Sequence, residues 1–99
     1  MLADVALPIP LPPLTYEIPA AWVPLATAGT RVRVRMGARR MTGVIVRLHE
    51  DRPAGITLRP VEEIIDRAPL LPPDLLELAA FIADYYLAPL GEVLRNLLP

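Results

Sequence analysis

Ninety-nine residues, 54% of them hydrophobic, bound the chain to one small domain with apolar surface enough for a single core, outside the disordered class. Neither cysteine nor serine occurs. Disulfides, thiolate metal sites, cysteine nucleophiles and a serine triad are therefore excluded within these residues. The net charge of −1 hides an asymmetry in which every basic residue is an arginine. Residues 31–59 carry eight arginines against Glu50 and Asp51, a balance of +6, and residues 60–99 carry two against seven acids, a balance of −5. One end is fitted to a polyanion, the other to solvent or a protein surface. Arginine suits bidentate phosphate contacts, although a GC-rich coding bias would also account for the missing lysine. No apolar run reaches membrane-spanning length. Asp4 sits where a signal peptide would be positive, so a cytoplasmic setting is expected.

In chain order, Ala3–Leu7 reads as a short strand. The prolines of Pro8–Pro13 turn its exit into a stiff polyproline-like connector, with a proline-recognition ligand as the alternative. Leu14–Ile18 is a second short strand closed by Pro19. Ala20–Thr27 is a loop or single helical turn whose Trp22 reads as a core or interface plug rather than a stacking platform. Arg31 to Val46, RVRVRMGARRMTGVIV, is the most informative stretch. Arg31, Arg33 and Arg35 alternate with Val32, Val34 and Met36, which places three guanidinium groups on one face of a strand. Gly37 and Ala38 turn the chain, Arg39 and Arg40 are placed at the tip, and Met41–Leu48 returns as a strand covered on both sides.

His49–Gly55 is a polar loop in which His49 is expected to be solvated. Val61–Ile65 is a last strand, with helix as the rival reading. Glu62 and Glu63 are adjacent, point to opposite strand faces, and read as solvated charges rather than paired catalytic carboxylates. Asp74 has the chemistry of an N-cap, with Glu77 completing a capping-box-like pattern. Leu75, Leu78, Ile82 and Tyr85, with Ala79, Phe81 and Tyr86, form a helical stripe ending near Leu87. Of the adjacent Tyr85 and Tyr86, one is expected to pack and the other to lie at a rim. Leu90–Leu98 is a second helix with Pro89 at its first turn. The expected fold is α+β: a small, curved, partly open barrel-like antiparallel sheet of about five strands over residues 1–66, then two helices over 74–98. No phosphate-cradling Gly-rich segment with its lysine exists, so the residues point to binding rather than catalysis.

Five blocks, ADVALPIPLP, LTYEIP, GTRVRVRMGARRMTGVIV, LRPVEEIID and IADYYLAPLGEVLRNLLP, span nearly the whole chain. In order and spacing they resemble the N-terminal 3′ DNA-binding domain of primosomal protein N′, the PriA-type replication restart helicase. The resemblance implies a domain excised from a larger helicase that captures the 3′ end of the nascent leading strand at a stalled fork. Implied partners are single-stranded or forked DNA with a free 3′ end, other domains of the parent and, through the parent, primosome or single-strand-binding proteins. The implied setting is the bacterial nucleoid, without membrane. ATP, magnesium and zinc would belong to the parent, and this domain would hold no cofactor.

Carried onto this chain, the implied 3′-end pocket comprises Leu14, Thr15, Tyr16, Gly37 and Arg59. Arg31, Arg33, Arg35, Arg39 and Arg40 are expected phosphate contacts. Anchored on Pro19, the family's aromatic and carboxylate fall on Leu14 and Thr15. A two-residue shift would place Tyr16 and Glu17 in those slots instead, while the proline anchor keeps Tyr16 in register. Two rival readings need no 3′-end preference: a generic single-strand binder, and a module whose acidic, leucine-rich helices dock other protein domains.

Overall fold

The computed structural model describes residues 1–98. Five strands follow the alternating and apolar runs of the sequence: β1 (Leu2–Ala6), β2 (Leu14–Glu17), β3 (Arg31–Met36), β4 (Arg39–His49) and β5 (Glu63–Ile64). All pair antiparallel in the order β2-β1-β4-β3-β5. Two helices follow, α1 (Pro73–Tyr85) and α2 (Leu90–Leu97). This is the α+β arrangement expected, an open five-stranded sheet with its helices last. No helix among the described residues is long and apolar enough to cross a membrane.

Two features curve the sheet. Between Asp4 and Val5 the register with β4 slips, so that Arg47 pairs Asp4 but Ile45 pairs Val5, leaving Val46 as a bulge. Bulges bend a strand and raise its local twist. The sheet's far edges also approach each other. The Glu17 N–H donates to the Arg59 carbonyl at 3.0 Å, and the Val61 N–H donates to the Glu17 carbonyl at 2.8 Å. The inner face fills with Ala3, Val5, Tyr16, Val32, Val34, Ile45, Val61 and Ile64. Val5, Val32, Val34 and Ile45 are fully buried, each contributing about 1.5–3 kcal/mol of hydrophobic stabilisation. Trp22, in a short 3₁₀ turn at Ala20–Leu25, packs against this core as a plug.

The helices cover part of the outer face, where Ala6 and Val44 meet Leu71, Ala79 and Leu94. α2 approaches so closely that a Cβ on Gly91 would collide with the Leu7 carbonyl. A glycine is therefore required where helix and β1 exit meet.

Several local expectations are corrected. Arg39 and Arg40 are not at the hairpin tip. The turn is only Gly37-Ala38, and both arginines already pair in β4, opposite Met36 and Arg35. Gly37 has φ +63°, the positive φ that a type II′ turn demands at its first central position. Asp74 is not the cap of α1: Pro72 holds that position, and no side chain caps the helix. Pro73, with φ preset by its ring, starts the helix one residue early and leaves Asp74 in the first turn, where it still complements the dipole. The predicted stripe of α1 also faces the wrong way in part. Ala79 and Ala83 are the buried residues, whereas Leu78, Phe81 and both Tyr85 and Tyr86 are exposed. Neither tyrosine packs into the core.

Candidate nucleic-acid interface

The site is built where β2 begins and the β3–β4 hairpin ends. Leu14, Thr15, Tyr16, Gly37 and Arg59 all line one open cleft of about 470 Å³, together with Arg35, Met36 and the 53–58 loop. The edge-to-edge hydrogen bonds at Glu17 place Arg59 beside β2. Its guanidinium NH1 then donates to the Gly37 carbonyl at 2.7 Å, tying the loop to the hairpin tip. A smaller cavity of about 280 Å³ adjoins it, lined by Arg35, Gly37, Arg59, Pro60 and Glu62. No carboxylate lines the larger cleft among the described residues; its charged side chains are Arg59 and Arg35, and Arg35 is also paired with Glu62 at 3.5 Å.

Within the cleft the three β2 residues differ in availability. Leu14 is half-buried and reaches the edge of the core. Tyr16 is only 4% exposed and its hydroxyl donates to the Arg35 carbonyl at 2.9 Å. Burial pushes its phenol pKa up, against a smaller lowering by Arg59. It forms the floor beneath the site and fixes the end of β3. The Thr15 hydroxyl is already spent as a donor to Asp4 at 2.8 Å, so toward anything else its oxygen can only accept.

Asp4 is the centre of a network that sequence patterning missed. Besides Thr15 it faces His49 Nε2 at 2.8 Å and Arg47 at 3.5 Å. His49 is therefore not solvated: its side chain is 10% exposed, because the register sets β4's end beside β1. Burial alone would raise the Asp4 carboxyl pKa. The hydrogen bonds from His49 and Thr15, with the nearby charges of His49 and Arg47, outweigh burial and hold it below the ordinary value.

The arginine ladder is on one face of β3, as alternation predicts, while Val32 and Val34 point into the core. It is not a free ladder. Arg31 forks onto Asp66, with Nε at 3.2 Å and NH2 at 2.9 Å, and Asp66 also accepts the Arg31 backbone N–H at 2.8 Å. Hydrogen bonds from Arg31 hold the Asp66 carboxyl below its ordinary value despite burial. Arg33 pairs Glu63 at 2.6 Å, and Glu62 takes both Arg40 at 2.9 Å and Arg35 at 3.5 Å. Glu62 and Glu63 stay solvent-accessible, as expected, but each is also ion-paired. Glu62 lies outside the two-residue β5, so strand alternation does not separate the two side chains, and both reach arginines. Farther along the chain Arg52 pairs Glu17 at 2.7 Å. Among the described residues Arg39, Arg59, Arg67 and Arg95 have no carboxylate within salt-bridge distance, and of these only Arg39 and Arg59 belong to the arginine-rich stretch. Ile56, 60% exposed, also lies on the cleft wall; in the sequence it directly follows the polar His49–Gly55 loop.

Residues 4–99 match the model of a protein family described as the 3′DNA-binding domain (3′BD) of PriA. Among curated proteins, the replication restart protein PriA of Chlamydia pneumoniae is 36% identical over 73 residues, covering 74% of this chain. Those residues make up 10% of the relative, so the chain spans about a tenth of that protein's length. With the match running from the first strand to the last helix, the chain belongs to the family of the PriA 3′DNA-binding domain, a DNA-binding family of replication restart.

Proposed function

We propose that the chain recognises the free 3′ end of a DNA strand in the cleft bounded by Leu14, Gly37 and Arg59, as the end-sensing part of a longer PriA-type helicase acting at stalled forks in the bacterial cytoplasm. The observation carrying this reading is the convergence of all five implied pocket residues on one cleft that, among the described residues, no carboxylate lines. A terminal nucleotide has a free stacking face and no 3′ phosphate, so a cleft that leaves no room for a phosphate beyond the 3′-hydroxyl would accept an end and reject a continuous strand. Leu14 would contact the base, and the Gly37 backbone would approach base or sugar where a side chain would intervene. Arg59 would pair the adjacent phosphate. The Thr15 oxygen would accept from the 3′-hydroxyl. Tyr16 would serve as floor. Its burial supports the proline-anchored assignment, because a core residue offers no face for stacking in the shifted one.

The arginines of β3 and β4 are proposed as secondary phosphate contacts, Arg39 foremost because it carries no ion pair. ATP, magnesium and zinc belong to the proposed parent, with no role assigned to them in these residues. NMR shift mapping with a trinucleotide ending in a 3′-hydroxyl tests the reading. Perturbations are expected at Leu14, Thr15, Gly37 and Arg59, and they should fade with the 3′-phosphate form. Perturbations spread over β3 with either end would favour a generic single-strand binder.

A further inference from the structure

Helix α1 is apolar on two faces. Ala79 and Ala83 are buried, whereas Leu78, Phe81 and Tyr85, spaced i, i+3 and i+7, make a second stripe that continues into Tyr86 and Leu87. Phe81, Tyr85, Tyr86 and Leu87 are 66, 69, 71 and 90% exposed. The rings contact one another, with centroids 6.0 Å apart for Phe81–Tyr85 and 4.9 Å for Tyr85–Tyr86. At 150–250 Å² per aromatic side chain, the patch exposes on the order of 600 Å², the top of the range for a monomer's largest apolar patch and the size that marks an interaction site.

The end of α1 adds a second observation. The helix terminates in a Schellman pattern, with the Ala88 N–H donating to the Ala83 carbonyl at 2.8 Å and the Leu87 N–H to the Asp84 carbonyl at 3.3 Å. The left-handed residue of that pattern is Leu87, at φ +53°, where glycine would sit without strain. A leucine there costs about 1–2 kcal/mol, and its side chain touches almost nothing within the fold. Strain retained for an outward-facing apolar side chain points to a contact outside these residues.

Charge selects the occupant. α1 carries Asp74, Glu77 and Asp84 and no basic residue. Those carboxylates would repel a DNA backbone, and they would meet their own copies in a self-associated pair. We propose that the Leu78–Phe81–Tyr85–Leu87 face docks an apolar helix face rimmed by lysine or arginine, belonging to another domain of the same polypeptide. This rests on family membership, since the matched curated relative continues far beyond the stretch equivalent to this chain, and it does not depend on 3′-end recognition.

The test places the photo-cross-linker benzoylphenylalanine at position 81 of the full-length polypeptide. A second preparation carries it at position 50, an exposed polar site, as the control. Both are irradiated without DNA and mapped by mass spectrometry. Tethered domains meet at millimolar effective concentration, so adducts within one polypeptide are expected about tenfold above the control, on a helical segment flanked by basic residues. Adducts joining two copies, adducts on an acidic or non-helical segment, or adducts no more abundant than the control would each overturn the proposal. Because no DNA is present, a failure of 3′-hydroxyl preference would leave this result untouched.

Discussion

Arg33 and Arg59 come from the same arginine-rich stretch, yet they meet different partners. Arg33 stands in the middle of a ladder whose three rungs are matched by Glu63, Asp66 and Glu62 from the β5 region. Among the described residues Arg59 stands at a cleft with no carboxylate on its walls, and its guanidinium bonds a backbone carbonyl. The local balance of +6 is a property of the chain segment, not of the folded surface, because the acidic half of the chain folds back onto the ladder. Within the arginine-rich stretch, the arginines among the described residues with no ion pair are Arg59 at the cleft and Arg39. The paired arginines stitch the very short β5, joined to β3 by two residue pairs, to the sheet. The exposed pairs among them are each worth about 0–1 kcal/mol, weak enough for a phosphate to compete.

The sharpest way to break this contrast is to reverse the charge at the cleft and remove one from the ladder. Arg59→Glu should lower single-strand affinity more than about tenfold at low salt by removing a bidentate phosphate partner and placing a carboxylate in the cleft. Arg33→Gln should change affinity by no more than about twofold, since its charge is already matched. Anisotropy titrations of both variants read the difference.

Leu14→Phe should tighten binding of a strand ending in a 3′-hydroxyl about fivefold, the low end of the stacking contribution of about 1–3 kcal/mol. Thr15→Asp should not add to it. The new carboxylate would face Asp4, to which Thr15 now donates at 2.8 Å, and urea denaturation should show a stability loss of about 1 kcal/mol or more.

A smaller gain is expected from Glu62→Gln, which frees Arg35 and Arg40 from their shared partner. Affinity should rise about two- to threefold and the slope of log K against log salt should steepen, whereas Arg39→Gln should flatten that slope by about one unit. The smallest effect concerns pH. The Asp66 carboxyl is held below its ordinary value of 3.8 by Arg31. Its stabilisation is therefore complete above that unfolded value and is lost as pH falls through the depressed folded one. Asp66→Asn should flatten the acid limb of a urea-midpoint-against-pH curve, below about pH 4.

Which parts of this were legible beforehand follows from the range of the interactions. The pairing of β3 with β4, the α+β order and the second helix rest on local alternation and proline punctuation and fold as read, while the hairpin turn is tighter than read. The cleft residues were implied by the family resemblance rather than by local pattern, and the fold assembles them because Arg59 is hydrogen-bonded to β2 across the closing sheet. The ladder's neutralisation was not legible, since Arg31 and Asp66 are 35 positions apart and nothing local in either segment announces the pairing. His49 was misplaced for the same reason, its partner Asp4 lying 45 positions away. The facing of α1 was ambiguous in principle. A helix apolar on two sides has no single stripe, and only packing against α2 and the sheet selects Ala79 and Ala83 as the inner one.

The central claim is that the cleft, not the ladder, reads the DNA end. It is tested most directly by the affinity ratio for one labelled single strand ending in a 3′-hydroxyl or a 3′-phosphate, measured by anisotropy at low and moderate salt. The account predicts tighter binding of the hydroxyl form at both salt concentrations, with the preference erased in Arg59→Glu and kept in Arg33→Gln. Equal, salt-sensitive binding of both forms would contradict it and assign the affinity to the arginine face alone.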